Sequence, residues 1–315
     1  MGSKTFSTIK NIYACYFVCW MTLTSYVEVG ANIFDVEWDL AIILDGCRVD
    51  ALEQVADEYA FLTDIQTATS LGSSSKEWMV NTFQETHRSE IAETIYITGN
   101  GWENDVLRED VPFSNWTVTK GTWANDNRLV DRLLYRSTVT EADFEQVIHQ
   151  QLTDINGVDA FCPKELTDLT IKAGRENDAE RVLAHYMQPH QPYIHRAAAG
   201  NPATEIDSDP FGHLGEGNDD AVWEAYLDNL RHALDQVAVL LANFDGDVLI
   251  TADHGEMFGR PPFAGHGEGI PHPALKRVPW VKTTASDQST RQPDVEMSTE
   301  QIDNTAERLS ALGYL

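Results

Sequence analysis

The sequence contains little cysteine, and its cysteines are not closely paired. The four thiols are Cys15, Cys19, Cys47 and Cys162, and no two of them form a CxxC motif. This spacing excludes a zinc knuckle and a thioredoxin-like redox motif, because both need such pairs. Unpaired thiols are typical of a reducing compartment, so we expect a cytoplasmic location.

Basic residues are also scarce. The chain has 22 lysines and arginines against 50 acids, which gives a formal net charge of −28. A surface of this sign repels nucleic-acid phosphates and anionic membranes, so we expect no nucleic-acid partner. The acids are spread along the chain and arginine outnumbers lysine, a pattern typical of halophilic, archaeal proteins. The charge therefore says little about the substrate.

Long uninterrupted apolar runs are missing. The most apolar stretch, residues 12–31, contains Glu28 and several hydroxyl side chains. This interruption favours an amphipathic helix packed on the domain over a membrane-spanning segment. Lys4 and Lys10 precede the stretch as in a signal segment, but no small-residue cleavage site follows it. We predict an N-terminal helical segment over residues 1–34, and contact of this segment with a membrane stays an open alternative.

The rest of the chain alternates short apolar runs with helical patterns and has no internal repeat. Strands are predicted at Leu40–Leu44, Thr94–Asn100 and Asp247–Asp253, and another strand in RVLAHYMQPHQPY leads into a proline-rich loop. One helical pattern begins at Val49, and five others cover residues 76–83, 141–152, 164–181, 219–241 and 299–312. Residues 197–219 are predicted as a surface excursion or lid, and residues 283–301 as a polar connection. The alternation predicts an α/β fold with three layers, in which a mostly parallel central sheet carries helices on both faces.

Polar side chains follow two of these strands. Asp45 ends the first strand, and Asp253 and His254 end the last one, in the segment LITADHGEMFG. In parallel sheets, ligand-binding groups collect beyond the carboxyl ends of the strands. Carboxylates and an imidazole suit a zinc, manganese, magnesium or calcium ion. Each residue alone has a simpler explanation, as a helix N-cap or a turn histidine, so the prediction depends on their combination.

Three consecutive serines precede a predicted helix in SLGSSSKEW, residues 70–78. Ser74 and Glu77 have the spacing of a capping box, which is a purely structural role. Hydroxyl groups at a helix N-terminus also suit the binding of a phosphate or sulfate group and activation by a metal ion. The two interpretations are compatible.

Several segments, in this order, resemble the sulfatase-like branch of the alkaline phosphatase superfamily. They are ILDGCRVD, GSSSKEW, HYMQPHQPY and TADHGEMFG, and the closing LSALGYL is similar to the ending of many members. The resemblance spans residues 38–315. It implies a sulfatase-like or alkaline-phosphatase-like catalytic domain over residues 35–315 that acts on phosphate or sulfate esters.

The resemblance implies the following roles at a single divalent metal ion. Asp45, Asp253 and His254 bind the ion, together with a nucleophile at the start of a helix. Matching the family's hydroxyl-x-Pro-Ser pattern puts Ser75 at the nucleophile position, with Ser74 as the nearest alternative and Ser73 also open.

Two histidines complete the implied site. His190, in QPHQP, matches a histidine that reaches the substrate or its leaving oxygen. His266, in AGHGEG, is implied to be a further ligand or a general acid. Both are alternatively structural loop histidines.

The chain also departs from the family pattern. The Cys/Ser-x-Pro-x-Arg signature for formylglycine formation is missing, which makes a sulfate ester a less expected substrate than a phosphate ester. Lys76 is the nearest cation that could replace the missing arginine. Gly46 replaces the second acid of the usual Asp pair, which favours one metal ion, although His266 and His272 leave a second site open.

These observations predict a metal-dependent hydrolase or transferase. The metal-activated Ser75 attacks phosphorus, and water or an acceptor hydroxyl group then opens the covalent intermediate. A small phosphoester or a precursor of a surface glycan is the expected substrate. Because the serine motif is degenerate, a non-catalytic binding protein that retains the fold and the metal site is the alternative.

Overall fold

The computed structural model describes residues 3–107, 116–125, 127–134, 138–176, 180–215, 217–260, 263–297, 308 and 310. These residues form one large sheet, two small two-stranded sheets and helices. The strands are β1 Leu40–Leu44, β2 Gln66–Thr69, β3 Thr94–Thr98, β4 Gln146–His149, β5 Thr153–Ile155, β6 Val158–Ala160, β7 Arg181–Tyr186, β8 Gly246–Thr251, β9 Met257–Phe258, β10 Ala264–Gly265 and β11 Arg277–Ala285. The α-helices are α1 Ser3–Thr24, α2 Val49–Val55, α3 Ser75–Thr82, α4 Arg88–Ala92, α5 Glu103–Val106, α6 Arg128–Leu134, α7 Pro163–Glu176, α8 His195–Ala198, α9 Glu205–Ser208, α10 Asp219–Leu241 and α11 Pro273–Lys276.

The large sheet has seven strands in the order β2-β11-β8-β1-β7-β3-β4. Strands β8, β1, β7, β3 and β4 pair in parallel, and β11 runs antiparallel to both β8 and β2. The central position of β1, between β8 and β7, brings the carboxyl ends of these three strands together. This mostly parallel sheet confirms the predicted fold class.

The side chains of β1 explain why the sheet is covered on both faces. Leu40, Ile42 and Leu44 belong to one apolar core and Ala41 and Ile43 to another, as expected for side chains that alternate along a strand. The first core is completed by α2, α7 and α10, and the second by α1, α3, α5 and α6. A strand that is buried on both faces has a continuous apolar sequence. Strand β1, with the sequence LAIIL, has this property.

The prediction of a helix over residues 141–152 is wrong. A short 3-10 turn, Glu141–Asp143, is followed by strand β4, which pairs in parallel with β3. The β-branched Val147 and Ile148 are buried at this end of the sheet, so sheet pairing prevails over a weak helical pattern.

Other boundaries shift by a few residues. The helix predicted over residues 164–181 ends at Glu176, and Arg181 already belongs to β7. The predicted surface excursion at residues 197–219 contains the short helix α9, and the polar connection begins inside β11. The helix predicted over residues 299–312 and the closing LSALGYL lie outside the described residues, except for residues 308 and 310.

The N-terminal helix α1 packs on the domain. Its Ala14, Phe17, Val18 and Met21 are buried in the second core. Among the residues that the structure describes, no helix combines the length and the apolar character that crossing a bilayer would require.

Candidate functional site

The candidate site lies at the carboxyl edge of β8, β1 and β7. In the sheet register, Ile43 of β1 pairs with Thr251 of β8 and with His185 of β7. Asp45 lies two residues beyond Ile43, and Asp253 lies two residues beyond Thr251. The two carboxylates therefore lie at the same level along neighbouring strands. Their proximity therefore follows from the strand order.

Asp45, Ser75, Asp253 and His254 converge on one point. Ser75 Oγ lies 3.3 Å from Asp45 Oδ2 and 3.3 Å from His254 Nε2. His254 Nε2 lies 3.5 Å from Asp45 Oδ1 and 3.5 Å from Asp253 Oδ2. All four residues are fully buried. Neighbouring ligands of a tetrahedral ion with bonds of about 2.0 Å are about 3.3 Å apart, so these separations fit a shared cation.

Several buried polar atoms at this point have no hydrogen-bond partner. They are Asp45 Oδ1, Asp253 Oδ2 and His185 Nε2. A buried polar atom without a partner is costly, and an ion is one of the few things that satisfy it. Two carboxylates and imidazole nitrogens match the donors that zinc and manganese accept. The residues present therefore fit a divalent metal ion.

The protonation of the two carboxyl groups is strongly influenced by their burial. Burial, together with the charges of Asp253 and Glu256, raises the pKa of Asp45 well above its ordinary value. Burial opposes ionisation of Asp253 as well, but the neighbouring His254 and His185 lower its pKa overall. Two carboxylates this close repel each other, and a cation between them removes that repulsion.

His185 is a site residue that the sequence reasoning missed. Its Nε2 lies 3.7 Å from Asp45 Oδ2 and 3.7 Å from Asp253 Oδ2, and its Nδ1 lies 3.0 Å from the Tyr96 hydroxyl. Burial lowers the pKa of His185 to about 4, so the ring is neutral and able to act as a ligand at neutral pH. The available signal was a histidine inside the otherwise apolar strand RVLAHY, next to β1 in the sheet.

The three serines have different environments. Ser75 Oγ faces Asp45 and His254, as described above. Ser74 is the N-cap of α3, and its hydroxyl accepts a hydrogen bond from the Glu77 backbone N at 3.4 Å. Ser73 Oγ lies 2.6 Å from Glu77 Oε2 and 2.7 Å from the Gly267 carbonyl O. Of these three hydroxyls, the one at position 75 belongs to the candidate metal site.

A second group of titratable residues adjoins the first. His190, Glu256 and His266 offer ligand atoms that lie within 4.8 Å of one another. His266 Nδ1 is 3.0 Å from Glu256 Oε2, and the His266 ring centroid is 4.4 Å from that of His254. Burial lowers the pKa of His190 to about 3 and that of His266 to about 4. The two sequence-predicted loop histidines therefore lie together, beside the candidate metal site.

Glu256 is also absent from the sequence-based predictions, and Gly46 explains its position. A Cβ atom at Gly46 would lie 3.8 Å from Glu256 Oε2 and 3.9 Å from His190 Cβ. The Glu256 carboxylate thus occupies the space beside the position where the resemblance leads us to expect a second acid. Burial raises the pKa of Glu256 to about 7.

Lys76, expected as the replacement for the missing arginine, and His272, which left a second metal site open, both contact other residues. Lys76 Nζ pairs with Asp105 Oδ2 at 3.0 Å and lies 4.6 Å from the ring centroid of Trp102. The ion pair with Asp105 makes Lys76 less able to bind a substrate anion. His272 is exposed and caps α11, where its Nδ1 accepts a hydrogen bond from the Ala274 backbone N.

Neither a protein-family model nor a curated protein matches the sequence. Solved structures with a similar fold include the soluble domain of lipooligosaccharide phosphoethanolamine transferase A from Neisseria meningitidis, with a TM-score of 0.46 and 13% identity over 86% of this chain and 81% of that chain. A putative sulfatase from Bacteroides thetaiotaomicron has a TM-score of 0.42 and 15% identity over 87% of this chain and 70% of that chain. Phosphonate monoester hydrolase from Silicibacter pomeroyi has a TM-score of 0.42 and 13% identity over 87% of this chain and 72% of that chain. At such low identities and TM-scores, these similarities assign neither a family nor an activity to this chain.

Proposed function

We propose that this chain is a metal-dependent enzyme of the sulfatase-like branch of the alkaline phosphatase superfamily, and that it transfers the phosphoryl group of a phosphate ester by way of Ser75. The observation that carries the proposal is the convergence of Ser75 Oγ with the buried carboxylates of Asp45 and Asp253 and the imidazole of His254. This group combines a nucleophile with a cation site, which is what phosphoryl transfer requires.

Asp45, Asp253, His254 and Ser75 would hold the ion. A bound divalent cation would lower the pKa of the Ser75 hydroxyl and neutralise negative charge on the phosphate group. Neighbouring protein groups hold the two carboxylates in position. Asn100 Nδ2 donates a hydrogen bond to Asp45 Oδ2 at 3.0 Å, and Gly46 N donates to Asp253 Oδ1 at 3.1 Å. These bonds orient the two carboxylates before an ion binds, because each holds one carboxylate oxygen in place.

His190, Glu256 and His266 are the candidate proton donors, and Glu256, whose pKa is raised by burial to about 7, is the one of the three that retains a proton near neutral pH. The three residues lie beside His254, whose Nε2 is 3.3 Å from Ser75 Oγ, and this position supports a role in protonating the leaving oxygen. The contact between His266 Nδ1 and Glu256 Oε2 fixes the orientation of the His266 ring. The same three residues could instead hold a second metal ion, since they offer two imidazoles and a carboxylate.

The ester is proposed to be a small phosphoester or a precursor of a surface glycan. Water as the acceptor makes the enzyme a hydrolase, and a sugar or glycerol hydroxyl makes it a transferase. A sulfate ester is the less favoured substrate, because the formylglycine signature is missing from GSSSKEW.

The experiment compares three serine variants of the metal-loaded full chain. Hydrolysis of an aryl phosphate, a phosphodiester and an aryl sulfate is measured with zinc, manganese, magnesium or calcium. We expect Ser75→Ala to reduce kcat by at least about a thousandfold, the size typical of losing an activated nucleophile. Ser73→Ala and Ser74→Ala are the matched controls and keep activity within about tenfold. Loss of activity in Ser74→Ala but not in Ser75→Ala would contradict the assignment of the nucleophile.

The full burial of the four site residues favours one other function. A cation enclosed without access for a substrate would make the chain a non-catalytic binding protein that retains the fold. In that case the protein binds a metal ion stoichiometrically, and none of the three esters is hydrolysed at any salt concentration.

A further inference from the structure

The exposed apolar side chains of this molecule are concentrated at one place. Ten large hydrophobic residues are exposed in the described part of the chain, and seven of them lie between residues 9 and 29. These seven are Ile9, Ile12, Tyr16, Leu23, Tyr26, Val27 and Val29. An apolar surface concentrated in this way marks an interaction site more often than single exposed residues do.

Between Ile12 and Leu23, helix α1 is apolar on both of its faces. Its inward face carries Ala14, Phe17, Val18 and Met21, which are buried in the second core. The outward face is formed by residues spaced three or four apart, which are Ile12, Cys15, Tyr16, Cys19 and Leu23. No charged residue lies on this face between Ile12 and Leu23. A helix that is apolar all round is normally covered on every side.

Neighbouring elements extend the exposed surface. The Trp123 backbone N donates to Asn11 Oδ1 at 3.2 Å, which places the exposed Trp123 beside α1. Helix α6 packs against α1 and exposes Leu129. We define the α1 face as the seven residues above together with Trp123 and Leu129.

The charge around the α1 face differs from that of the whole chain. Residues 3–27 contain Lys4 and Lys10 and no acid, whereas the chain as a whole has a net charge of −28. Lys10, Lys120, Arg128 and Arg132 are exposed in the described parts of α1, α6 and the segment before α6. The α1 face is therefore an apolar surface bordered by these bases along α1 and α6, with one exposed acid, Glu28, between Val27 and Val29.

We infer that the α1 face docks on the surface of a lipid bilayer. Its apolar side chains enter the boundary between headgroups and acyl chains, while the surrounding bases contact the lipid phosphates. Because the inward face of α1 is packed in the core, the helix lies along the bilayer surface. A second copy of the chain is a less suitable partner, since a symmetric contact would place the bases of the two copies next to each other.

The same helix is hydrogen-bonded to the segment that follows His266. The hydroxyls of Tyr13 and Tyr16 donate to the carbonyl oxygens of Glu268 and Gly269, each at 2.8 Å. Trp20 Nε1 donates to Glu77 Oε1 of α3 at 2.7 Å. Docking through the α1 face would therefore hold the candidate site in a fixed orientation to the bilayer.

The test is sedimentation of the full chain with vesicles of phosphatidylcholine and phosphatidylglycerol. A salt concentration of about 0.15 M, where the Debye length is about 8 Å, screens the acids that lie far from the α1 face. We expect the unmodified protein to sediment with the vesicles, and the double variant Ile12→Glu/Leu23→Glu to bind at least about tenfold more weakly. Phe263→Glu is the matched control, because Phe263 is exposed but lies outside the α1 face. It should bind as the unmodified protein does.

Two further measurements decide between the remaining outcomes. Equal thermal midpoints of the variants show that the weaker binding is not caused by unfolding. Sedimentation of the protein alone reports its oligomeric state. The proposal is overturned if the unmodified protein does not bind the vesicles, or if Phe263→Glu weakens binding as much as the double variant. A dimer that Ile12→Glu/Leu23→Glu dissociates, without any vesicle binding, would assign the α1 face to a second copy.

Discussion

At the scale of single residues, the two carboxylate oxygens of Asp45 have different environments. Its Oδ2 accepts a hydrogen bond from Asn100, while its Oδ1 is buried without a hydrogen bond. The second carboxylate, Asp253, also has one buried oxygen without a partner. Buried oxygens without hydrogen bonds reduce the stability of a fold, and a bound cation would satisfy both of them.

Replacing Asp45 by asparagine separates stability from metal binding. Asp45→Asn keeps the shape of the side chain but removes a carboxyl group whose ionisation is opposed by burial and by the charge of Asp253. The metal-free variant should therefore unfold at a higher temperature than the metal-free unmodified protein. Added zinc or manganese should raise the thermal midpoint of the unmodified protein, because it binds only the folded state, and should have little effect on the variant. An equal rise in both proteins would exclude Asp45 as a ligand.

Ser74 and Ser75 should differ in how much each contributes to the stability of the fold. Ser74 is the N-cap of α3, and replacement of such a residue by alanine typically costs about 1 kcal/mol of folding free energy. Ser74→Ala should therefore lower the urea midpoint, and Ser75→Ala should lower it less. Unfolding of both variants in urea, followed by circular dichroism, measures this difference. The reverse order would contradict the assigned cap.

Residue types and their place in the sequence predicted part of the candidate site. Asp45, Asp253 and His254 follow apolar strands directly, and that position is visible in the sequence. His185 lies inside a strand, where a histidine usually indicates only a buried polar residue. Glu256 follows His254 closely, but its relation to Gly46 depends on a backbone turn that the sequence does not display.

At the scale of secondary structure, strand β4 ends in a buried ion pair. His149 Nδ1 lies 3.2 Å from Glu103 Oε1, and Arg308 Nη1 lies 2.9 Å from the same oxygen. Burial alone would lower the pKa of His149, but the contact with Glu103 raises it overall. The folded state therefore favours the protonated imidazole.

This ion pair predicts a pH dependence of stability. A histidine whose pKa is raised by folding stabilises the protein fully below its unfolded value of about 6.5, and this contribution is lost as the pH rises through the folded pKa. The urea midpoint of the unmodified protein should fall over that interval, and that of His149→Gln should fall less. Parallel curves for the two proteins would show that His149 does not contribute.

The elements also differ in how well the sequence predicts them. Strand β1 and helix α10 were predicted with their observed boundaries, because an apolar run and a long helical period are strong signals. Strand β4 was mistaken for a helix. Strands β2 and β11 were not predicted, since QTAT is largely exposed and RVPWVKTTA mixes polar and apolar residues. Their pairing at the edge of the sheet depends on partners distant in the sequence.

At the scale of the whole molecule, the net charge of −28 acts against compactness. Repulsion among so many acids destabilises the folded state at low ionic strength, and salt screens it. We expect the thermal midpoint of the full chain to rise as potassium chloride is increased from low to high concentration. A midpoint that falls with added salt would mean that local ion pairs outweigh the overall repulsion.

The order of the strands in the sheet determines where the candidate site forms. Because β1 lies between β7 and β8, the sheet brings residues that are more than 200 positions apart in the sequence, such as Asp45 and Asp253, to one point. This strand order could not be read from any single segment. It turns three separate sequence motifs into one candidate metal centre.

The central claim is that Asp45, Ser75, Asp253 and His254 share a divalent cation. Anomalous diffraction from crystals of the full chain grown with zinc or manganese tests it most directly. We predict an anomalous peak within about 2.5 Å of both carboxylates, the imidazole and Ser75 Oγ. Crystals that bind the metal only at other positions, or that bind none, would contradict the claim.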